Sequence, residues 1–186
     1  MDVEEGSELY RTRRKVSWDA YILKFKEGPP PGFRFADIEA EPSRRELLGS
    51  PEEVMSAISR ALPAIQWHGV YGGYETPHFQ IGIDLAGEGP LSKIWVNTNA
   101  LKTDEPSNPV SVLAQICKAN GWSLMDCSTS KFIDLNRPSI EGWQMYVDLM
   151  RLVIAELTTG KPERRRTKKA KSAKKKGKTN KRRRKK

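Results

Sequence analysis

The chain has 186 residues, is 37% hydrophobic and carries a formal net charge of +10. Its apolar stretches fall short of the ~20 residues that a membrane-spanning helix needs. The acidic start MDVEEGSELY also lacks the apolar run of a secretory signal. These features argue against a membrane-spanning or secreted protein and predict a cytoplasmic one with a single domain, because about 150 residues form one core comfortably.

The first predicted element is a strand at residues 17–25. Residues 1–15 are expected to be a flexible lead-in, and residues 16–160 to form the domain. The strand sequence SWDAYILKF is rich in aromatic and β-branched residues, and both of its faces are apolar. Two apolar faces indicate a central strand. The prolines of GPPPGFRF then predict a long irregular connection over residues 26–47.

A helix start is predicted at Ser50, Pro51 and Glu53, where a hydroxyl cap, a first-turn proline and a carboxylate can close a capping box. This helix should run to about Leu62. The glycine-rich stretch IQWHGVYGGYETP is ambiguous. HFQIGIDL alternates strictly between apolar and polar residues, so it predicts a half-buried strand that pairs with SKIWVNTNA as an antiparallel hairpin.

The second half of the chain repeats these signals. Asn108 and Pro109 predict a helix that ends at Asn120 and Gly121. WSLMDC and KFIDL are interpreted as a strand pair or one bent strand, and a last helix is expected over residues 140–158. Its broad apolar stripe predicts burial under the domain or in a homodimer. The element order predicts an α+β fold, a mainly antiparallel sheet with about three packed helices.

Three segments carry a resemblance to a family: Ser-Trp-Asp at residues 17–19, LGSPEEV at residues 48–54, and ANGWSLMDCSTSKFIDL at residues 119–135. Over roughly residues 17–145 the chain resembles a family of small bacterial proteins with no established activity. The resemblance implies a bacterial cytosolic protein of one domain, with an immunity or interaction role among the expectations. The N-terminal extension, the longer last helix and the basic tail depart from that pattern.

A polar cluster, Asp126-Cys127-Ser128-Thr129-Ser130, follows a predicted strand and is the first candidate for chemistry. A cysteine nucleophile needs a base or a cation to become a thiolate. The chain offers only two imidazoles, and no local pattern places either beside Cys127. A turn stabilised by the Asp and Ser side chains explains the cluster more simply. Cys117 and Cys127 fit a reduced protein and are expected to be two small core residues, with a disulfide between them as the alternative.

Metal binding is the second candidate. One candidate site combines His68 and His78 with Asp84 or Asp126, and a second pairs Asp126 with Asp134 around Mg²⁺. The chain has no CxxC or HExxH spacing to support either of them. The sequence therefore predicts no catalytic residue, no metal and no cofactor. It leaves one candidate pocket, formed by His78, Asp84, Asp126, Cys127, Ser128 and Asp134.

The strongest functional signal is the C-terminal tail, residues 161–186, which holds 17 of the 33 lysines and arginines against the single acid Glu163. The tail thus carries a net +16, and the first 160 residues carry −6. Such a tail is expected to be disordered and to bind phosphates. It has no aromatic residue to stack on bases, so it indicates no single-strand preference. The predicted contacts are Lys168, Lys169, Lys174, Lys175, Lys176, Lys181, Arg182, Arg183, Arg184, Lys185 and Lys186.

These patterns predict a noncatalytic interaction protein whose tail binds DNA or RNA nonspecifically while the body binds a partner protein or ligand. Binding to DNA would place it at the nucleoid. Two alternatives stay open: an immunity-type protein whose acidic body neutralises a basic toxin, and a nucleic-acid-processing enzyme that uses the candidate pocket. A targeting or solubilising role is the alternative for the tail itself. Polyanion binding is favoured over it, because the basic run recurs three times across 26 residues and opposes an acidic body.

Overall fold

Residues 17–85, 87, 89–105 and 107–159 are described by the structure, a computed structural model. The expected lead-in at residues 1–15 and the basic tail at residues 161–186 lie outside the described residues. Within the described ranges, no helix is at once long enough and apolar enough to cross a bilayer.

Seven strands form one antiparallel sheet in the described part of the chain. In chain order they are β1 (Trp18–Leu23), β2 (Gln66–His68), β3 (Tyr71–Glu75), β4 (Phe79–Asp84), β5 (Ile94–Ala100), β6 (Ser123–Asp126) and β7 (Lys131–Phe132). They lie side by side in the order β2-β3-β4-β5-β1-β6-β7. β1 has a neighbour on each side, which confirms that its two apolar faces mark a central strand.

Four α-helices accompany the sheet in the same residues. They are α1 (Asp37–Ala40), α2 (Pro51–Ala61), α3 (Pro109–Asn120) and α4 (Glu141–Thr159), and a short 3₁₀ turn (Pro42–Arg44) follows α1. The longer three helices, α2, α3 and α4, all contribute side chains to the main core. The predicted fold class, α+β with a mainly antiparallel sheet and about three packed helices, is therefore confirmed.

The helix starts are where the capping signals predicted them. Ser50 Oγ accepts the backbone N–H of Glu53 at 3.3 Å, and Glu53 Oε2 accepts the backbone N–H of Ser50 at 2.7 Å. Asn108 Oδ1 likewise accepts the backbone N–H of Ser111 at 3.0 Å. Each bond satisfies a donor that the first turn of a helix leaves free. Gly121, at a φ of 65°, ends α3 in the left-handed conformation that glycine favours.

The main core lies between one face of the sheet and the three longer helices. β1 contributes Trp18, Ala20 and Ile22 to it, and these side chains are at most 1% exposed. Leu23 and Phe25, at the end of β1 and just after it, belong to a second, smaller cluster together with Phe33, Ile38 and Met125. The connection over residues 26–47 therefore packs against the sheet, although its prolines predicted only irregular structure.

The ambiguous segment forms the hairpin of β2 and β3, which the sequence did not predict. Gly72 and Gly73 break the apolar alternation of β3, and the structure shows why Gly72 is needed. A Cβ atom at Gly72 would lie 2.7 Å from Trp67 Cζ3 and 2.8 Å from Ile65 Cδ1. The small residue is thus required by packing across the hairpin, which a strand-propensity argument does not contain.

α4 is buried over its first half only. Trp143, Tyr146 and Val147 are at most 7% exposed, whereas Leu152 is 65% exposed and Leu157 78% exposed. The ring of Trp143 meets Trp18 edge to face, with 6.3 Å between the centroids. The broad apolar stripe is therefore partly covered by the domain, and the homodimer stays a prediction for the remainder.

Thr98 provides a test of this core, because its side chain is 0% exposed and its Oγ1 has no hydrogen-bond partner among the described residues. Thr98→Val replaces an unpaired hydroxyl with a methyl group of the same shape. We expect the free energy of unfolding, measured by urea denaturation, to stay unchanged or rise by up to about 1 kcal/mol.

Thr76→Val is the matched control. Thr76 Oγ1 accepts the backbone N–H groups of His78 at 3.2 Å and Phe79 at 3.0 Å, so this change should lower the free energy of unfolding by about 1 kcal/mol. An equal loss at Thr98 and Thr76 would contradict the assignment of an unpaired hydroxyl to Thr98.

Candidate functional site

One region of the sheet carries polar and aromatic side chains on the face opposite the main core. Along β5, Ile94, Val96 and Thr98 are fully buried, while the alternate residues Trp95, Asn97 and Asn99 are exposed or half-buried. Since successive side chains of a strand point to opposite faces, these three point away from the helices.

The outward residues of β5 border a cavity of about 420 Å³, which we call the sheet groove. Such a volume lies within the ~300–1,000 Å³ of typical small-molecule sites. The groove is lined by Ser17, Asp19, Tyr71, Trp95, Asn97 and Asn99. β1 contributes through Asp19, which lies opposite Asn97 in the β1–β5 register.

Gly82 lets Tyr71 contribute to the groove. Gly82 lies opposite Asn97 on one side and Gly73 on the other. A Cβ atom at Gly82 would overlap the Tyr71 hydroxyl and lie 2.8 Å from Asn97 Oδ1. The Tyr71 side chain therefore reaches across β4 to the neighbourhood of Asn97, through space that any residue larger than glycine would fill.

The groove offers flat rings and hydrogen-bonding groups together. Tyr71 and Trp95 are each 40% exposed. In the described structure, the side-chain amides of Asn97 and Asn99 make no hydrogen bond to another residue. Ser17 Oγ donates to Asp19 Oδ1 at 2.7 Å, which leaves the second carboxylate oxygen of Asp19 as a further acceptor. No lysine or arginine is among the lining residues, so the groove suits a ring with polar edges rather than an anion.

A second cavity, which we call the flank cavity, adjoins the groove at the start of β1. It encloses about 330 Å³ and shares Ser17 and Asp19 with the sheet groove. Its other lining residues are Trp18, Cys127, Ser128, Gly142, Met145, Tyr146 and Leu149. The Ser-Trp-Asp motif thus separates two neighbouring cavities, with Trp18 buried between the sheet and α4.

Asp126 is a buried carboxylate that connects several elements. It is 4% exposed, and its Oδ1 accepts the indole N–H of Trp18 at 3.2 Å, the Ser128 hydroxyl at 2.6 Å and the backbone N–H groups of Ser128 at 2.8 Å and Thr129 at 3.4 Å. A Cβ atom at Gly142 would overlap Asp126 Oδ2 and the Ser128 hydroxyl. The first turn of α4 therefore lies directly against this carboxylate.

Cys127 is a poor nucleophile in this setting. Burial, followed by the negative charges of Asp19 and Asp126, raises the pKa of the Cys127 thiol to about 12. Burial also raises the pKa of Cys117, and both cysteines are free. At neutral pH the Cys127 side chain is therefore a neutral thiol, whereas nucleophilic catalysis needs the thiolate.

The remaining members of the candidate pocket lie elsewhere. His78 precedes β4, and its Nδ1 lies 2.9 Å from Glu105 Oε2, close enough for an ion pair but without hydrogen-bond geometry. Asp134 accepts the backbone N–H of Asn136 at 2.9 Å. Asp84 ends β4 opposite Tyr71 and Trp95. Of the predicted pocket, Cys127 and Ser128 line the flank cavity. Asp126 does not line it but lies directly against Gly142, which does.

Within the described ranges, no three His, Cys, Asp or Glu side chains are grouped so that they could hold a metal ion. The groove residues Tyr71, Trp95, Asn97 and Asn99 were missed by the sequence reasoning. The signal lay in SKIWVNTNA, where the outward positions alternate as Trp, Asn and Asn. That alternation gives β5 an outward face of one aromatic ring and two amides.

Comparison of the chain with protein-family models, curated proteins and solved structures found no match. The family resemblance of the three segments therefore brings no activity to this chain. Its function is inferred from its own charges and side-chain geometry.

Asp126→Ala tests the structural role of the buried carboxylate. The change removes the acceptor for the Trp18 indole and the Ser128 backbone N–H, so we expect the free energy of unfolding to fall by about 2–3 kcal/mol. Asp134→Ala is the control, because Asp134 is exposed and should cost about 0.5 kcal/mol or less. Equal losses in urea denaturation would show that Asp126 is not a structural centre.

The raised pKa of Cys127 predicts an unusual pH dependence of alkylation by iodoacetamide. Because only the thiolate reacts, the rate should rise about tenfold per pH unit from about pH 7 to pH 10, whereas an ordinary thiol, with a pKa of ~8.5, levels off near pH 9.5. Cys127→Ser is the control, since it leaves only the buried Cys117. A plateau below about pH 9 would contradict the raised pKa.

Proposed function

We propose that the protein is a noncatalytic interaction protein whose basic tail binds nucleic acid through nonspecific phosphate contacts. The observation that carries this proposal is the charge of residues 161–186, where 17 lysines and arginines stand against one acid. Cations at this density release the counterions that condense on nucleic acid, and this release provides affinity without sequence preference.

Charge is segregated along the chain in support of this role. The first 160 residues carry a net −6. Several cations of the body already lie near acids, as in the pairs Lys24–Glu46 at 3.5 Å, Arg44–Glu41 at 2.6 Å, Lys102–Glu105 at 3.0 Å and Arg151–Asp148 at 3.0 Å. We therefore assign the attraction to a polyanion to the tail, and to the body only contacts that do not depend on a net positive charge.

The noncatalytic part of the proposal rests on the candidate pocket. Cys127 keeps its proton at neutral pH because its pKa is raised to about 12. Asp126 Oδ1 is already engaged by four donors, and His78 lies beside Glu105. Neither Asp126 nor His78 is therefore placed to activate Cys127 as a nucleophile.

The body supplies a binding surface in this proposal, because the sheet groove exposes rings and unpaired amides. A tail that holds the protein on nucleic acid raises the local concentration of the groove at whatever the body binds there. Affinity and selectivity are thus assigned to different parts of one chain.

Replacement of the eleven predicted phosphate-contacting residues of the tail with Gln, in the full-length protein, tests this proposal. Affinity for duplex DNA should fall by about 100-fold or more at ~0.1 M salt. The slope of log affinity against log salt should also flatten, because each lost phosphate contact removes about 0.9 from it. Fluorescence anisotropy across a salt series measures both quantities.

The control has residues 161–186 shuffled, with their composition kept. It should bind like the natural chain, since the proposed contacts depend on charge and not on order. If the Gln variant binds duplex DNA as tightly as the natural chain, the tail is not a phosphate-binding element, and a targeting or solubilising role takes its place.

A further inference from the structure

We propose that the sheet groove binds a small organic cation that carries a guanidinium group. This inference goes beyond the proposed function, because it concerns only described residues of the body and does not involve nucleic acid. It gives the outward face of the sheet a ligand of the opposite charge.

The aromatic side chains supply the first argument. Tyr71 and Trp95 are each 40% exposed and line the groove. Neither ring belongs to the main core or to the smaller cluster. The face of an aromatic ring attracts a cation, and a planar guanidinium group can also stack on it. The two exposed rings therefore offer flat surfaces that suit such a group.

The charge of the outward face supplies the second argument. Asp84 lies in register between Tyr71 and Trp95, and Asp19 lies opposite Asn97, two residues further along β5. Both acids alternate with buried neighbours, so they belong to the outward face. No lysine or arginine lines the groove, and none of the described ones forms an ion pair with Asp19. This charge favours a cationic ligand over an anionic one.

The half-buried carboxylate of Asp19 also favours a cation over a neutral ligand. A neutral compound that covers this carboxylate removes water from a charge without supplying the opposite charge, which costs free energy. A guanidinium group supplies that charge together with N–H donors. Asp19 accepts one hydrogen bond from Ser17 and keeps its second oxygen for a ligand. Asn97 and Asn99 provide further acceptor oxygens in the same groove.

Lys93 shows that this side of the sheet already holds one cation against a ring. Its Nζ lies 5.8 Å from the centroid of the Tyr21 ring, and Tyr21 lies opposite Trp95 in the β1–β5 register. Lys93 pairs with Glu39 and does not line the groove. The groove itself, at about 420 Å³, has the volume of a small-molecule site, so we commit to a small compound as the ligand.

The test titrates the full-length protein with Nα-acetyl-arginine amide and with its citrulline analogue, in which a neutral urea replaces the guanidinium. NMR shifts of the backbone amides of β4 and β5 report both the affinity and the place of binding. The arginine compound should bind about tenfold or more tighter, because hydrogen bonds to a charged group are stronger than neutral ones. Equal affinities, or no shifts in β4 and β5, would overturn the inference.

Two groove variants test the charge and the ring separately. Asp19→Asn keeps the shape of the side chain and removes its charge, so affinity for the arginine compound should fall about tenfold or more. Trp95→Ala should lower it about fivefold, and Trp95→Phe, which keeps an aromatic face, should restore most of that loss.

Glu156→Gln is the matched control, because it removes the same charge from an exposed position of α4 that lines neither cavity. It should leave the affinity unchanged. Equal losses in Glu156→Gln and Asp19→Asn would mean that only net charge matters, which contradicts the inference. Thermal unfolding of each variant verifies that the fold is kept.

Two competing occupants are distinguished in the same titrations. If the peptide Gly-Gly-Arg-Gly-Gly binds more tightly than Nα-acetyl-arginine amide, the ligand is a protein segment and the small-compound inference fails. It also fails if the compound binds only to the variant with eleven Gln residues in the tail, because the chain's own tail then fills the groove. The proposed function is measured with duplex DNA and is decided independently of these results.

Discussion

The buried carboxylate of Asp126 is the interaction on which the rest of this structure depends. Because a buried charge is tolerated only when hydrogen bonds satisfy it, the carboxylate requires the Trp18 indole and the turn at Ser128 and Thr129 to stay in place. Gly142 then brings the start of α4 against the same group. Three elements meet there: the end of β6, the start of β1 and the first turn of α4. Both cavities border this junction.

Much of the fold follows from signals that are local in sequence. The capping box at Ser50 and Glu53 and the glycine stop at Gly121 need only residues within one turn, so helix ends were predicted well. The β2–β3 hairpin was not predicted, because the glycine at position 72 is required by its contact with the ring of Trp67 on the neighbouring strand. The groove was not predicted for a similar reason. The Tyr71 side chain extends over Gly82 towards Asn97, and this contact between three strands cannot be inferred from spacing along the sequence.

The candidate pocket also shows that sequence reasoning identifies neighbours along the chain better than neighbours in space. Asp126, Cys127 and Ser128 are together because they are consecutive, whereas His78 and Asp134 belong to separate turns with partners of their own.

In the proposed arrangement, long-range charge and short-range shape are separate properties of the chain. The tail acts through a field that salt screens, and the groove acts through contacts that salt hardly affects.

The two outermost strands bring one more consequence. β2 has three residues and β7 has two, so the sheet ends on each side in a strand too short to template another. Long unpaired edges invite chains to add to one another and aggregate. A polyanion that gathers many copies by their tails would crowd these edges together, and the short outer strands give the crowded molecules little backbone to share. The short outer strands thus leave the face of the sheet accessible and make edge-to-edge pairing between copies unfavourable.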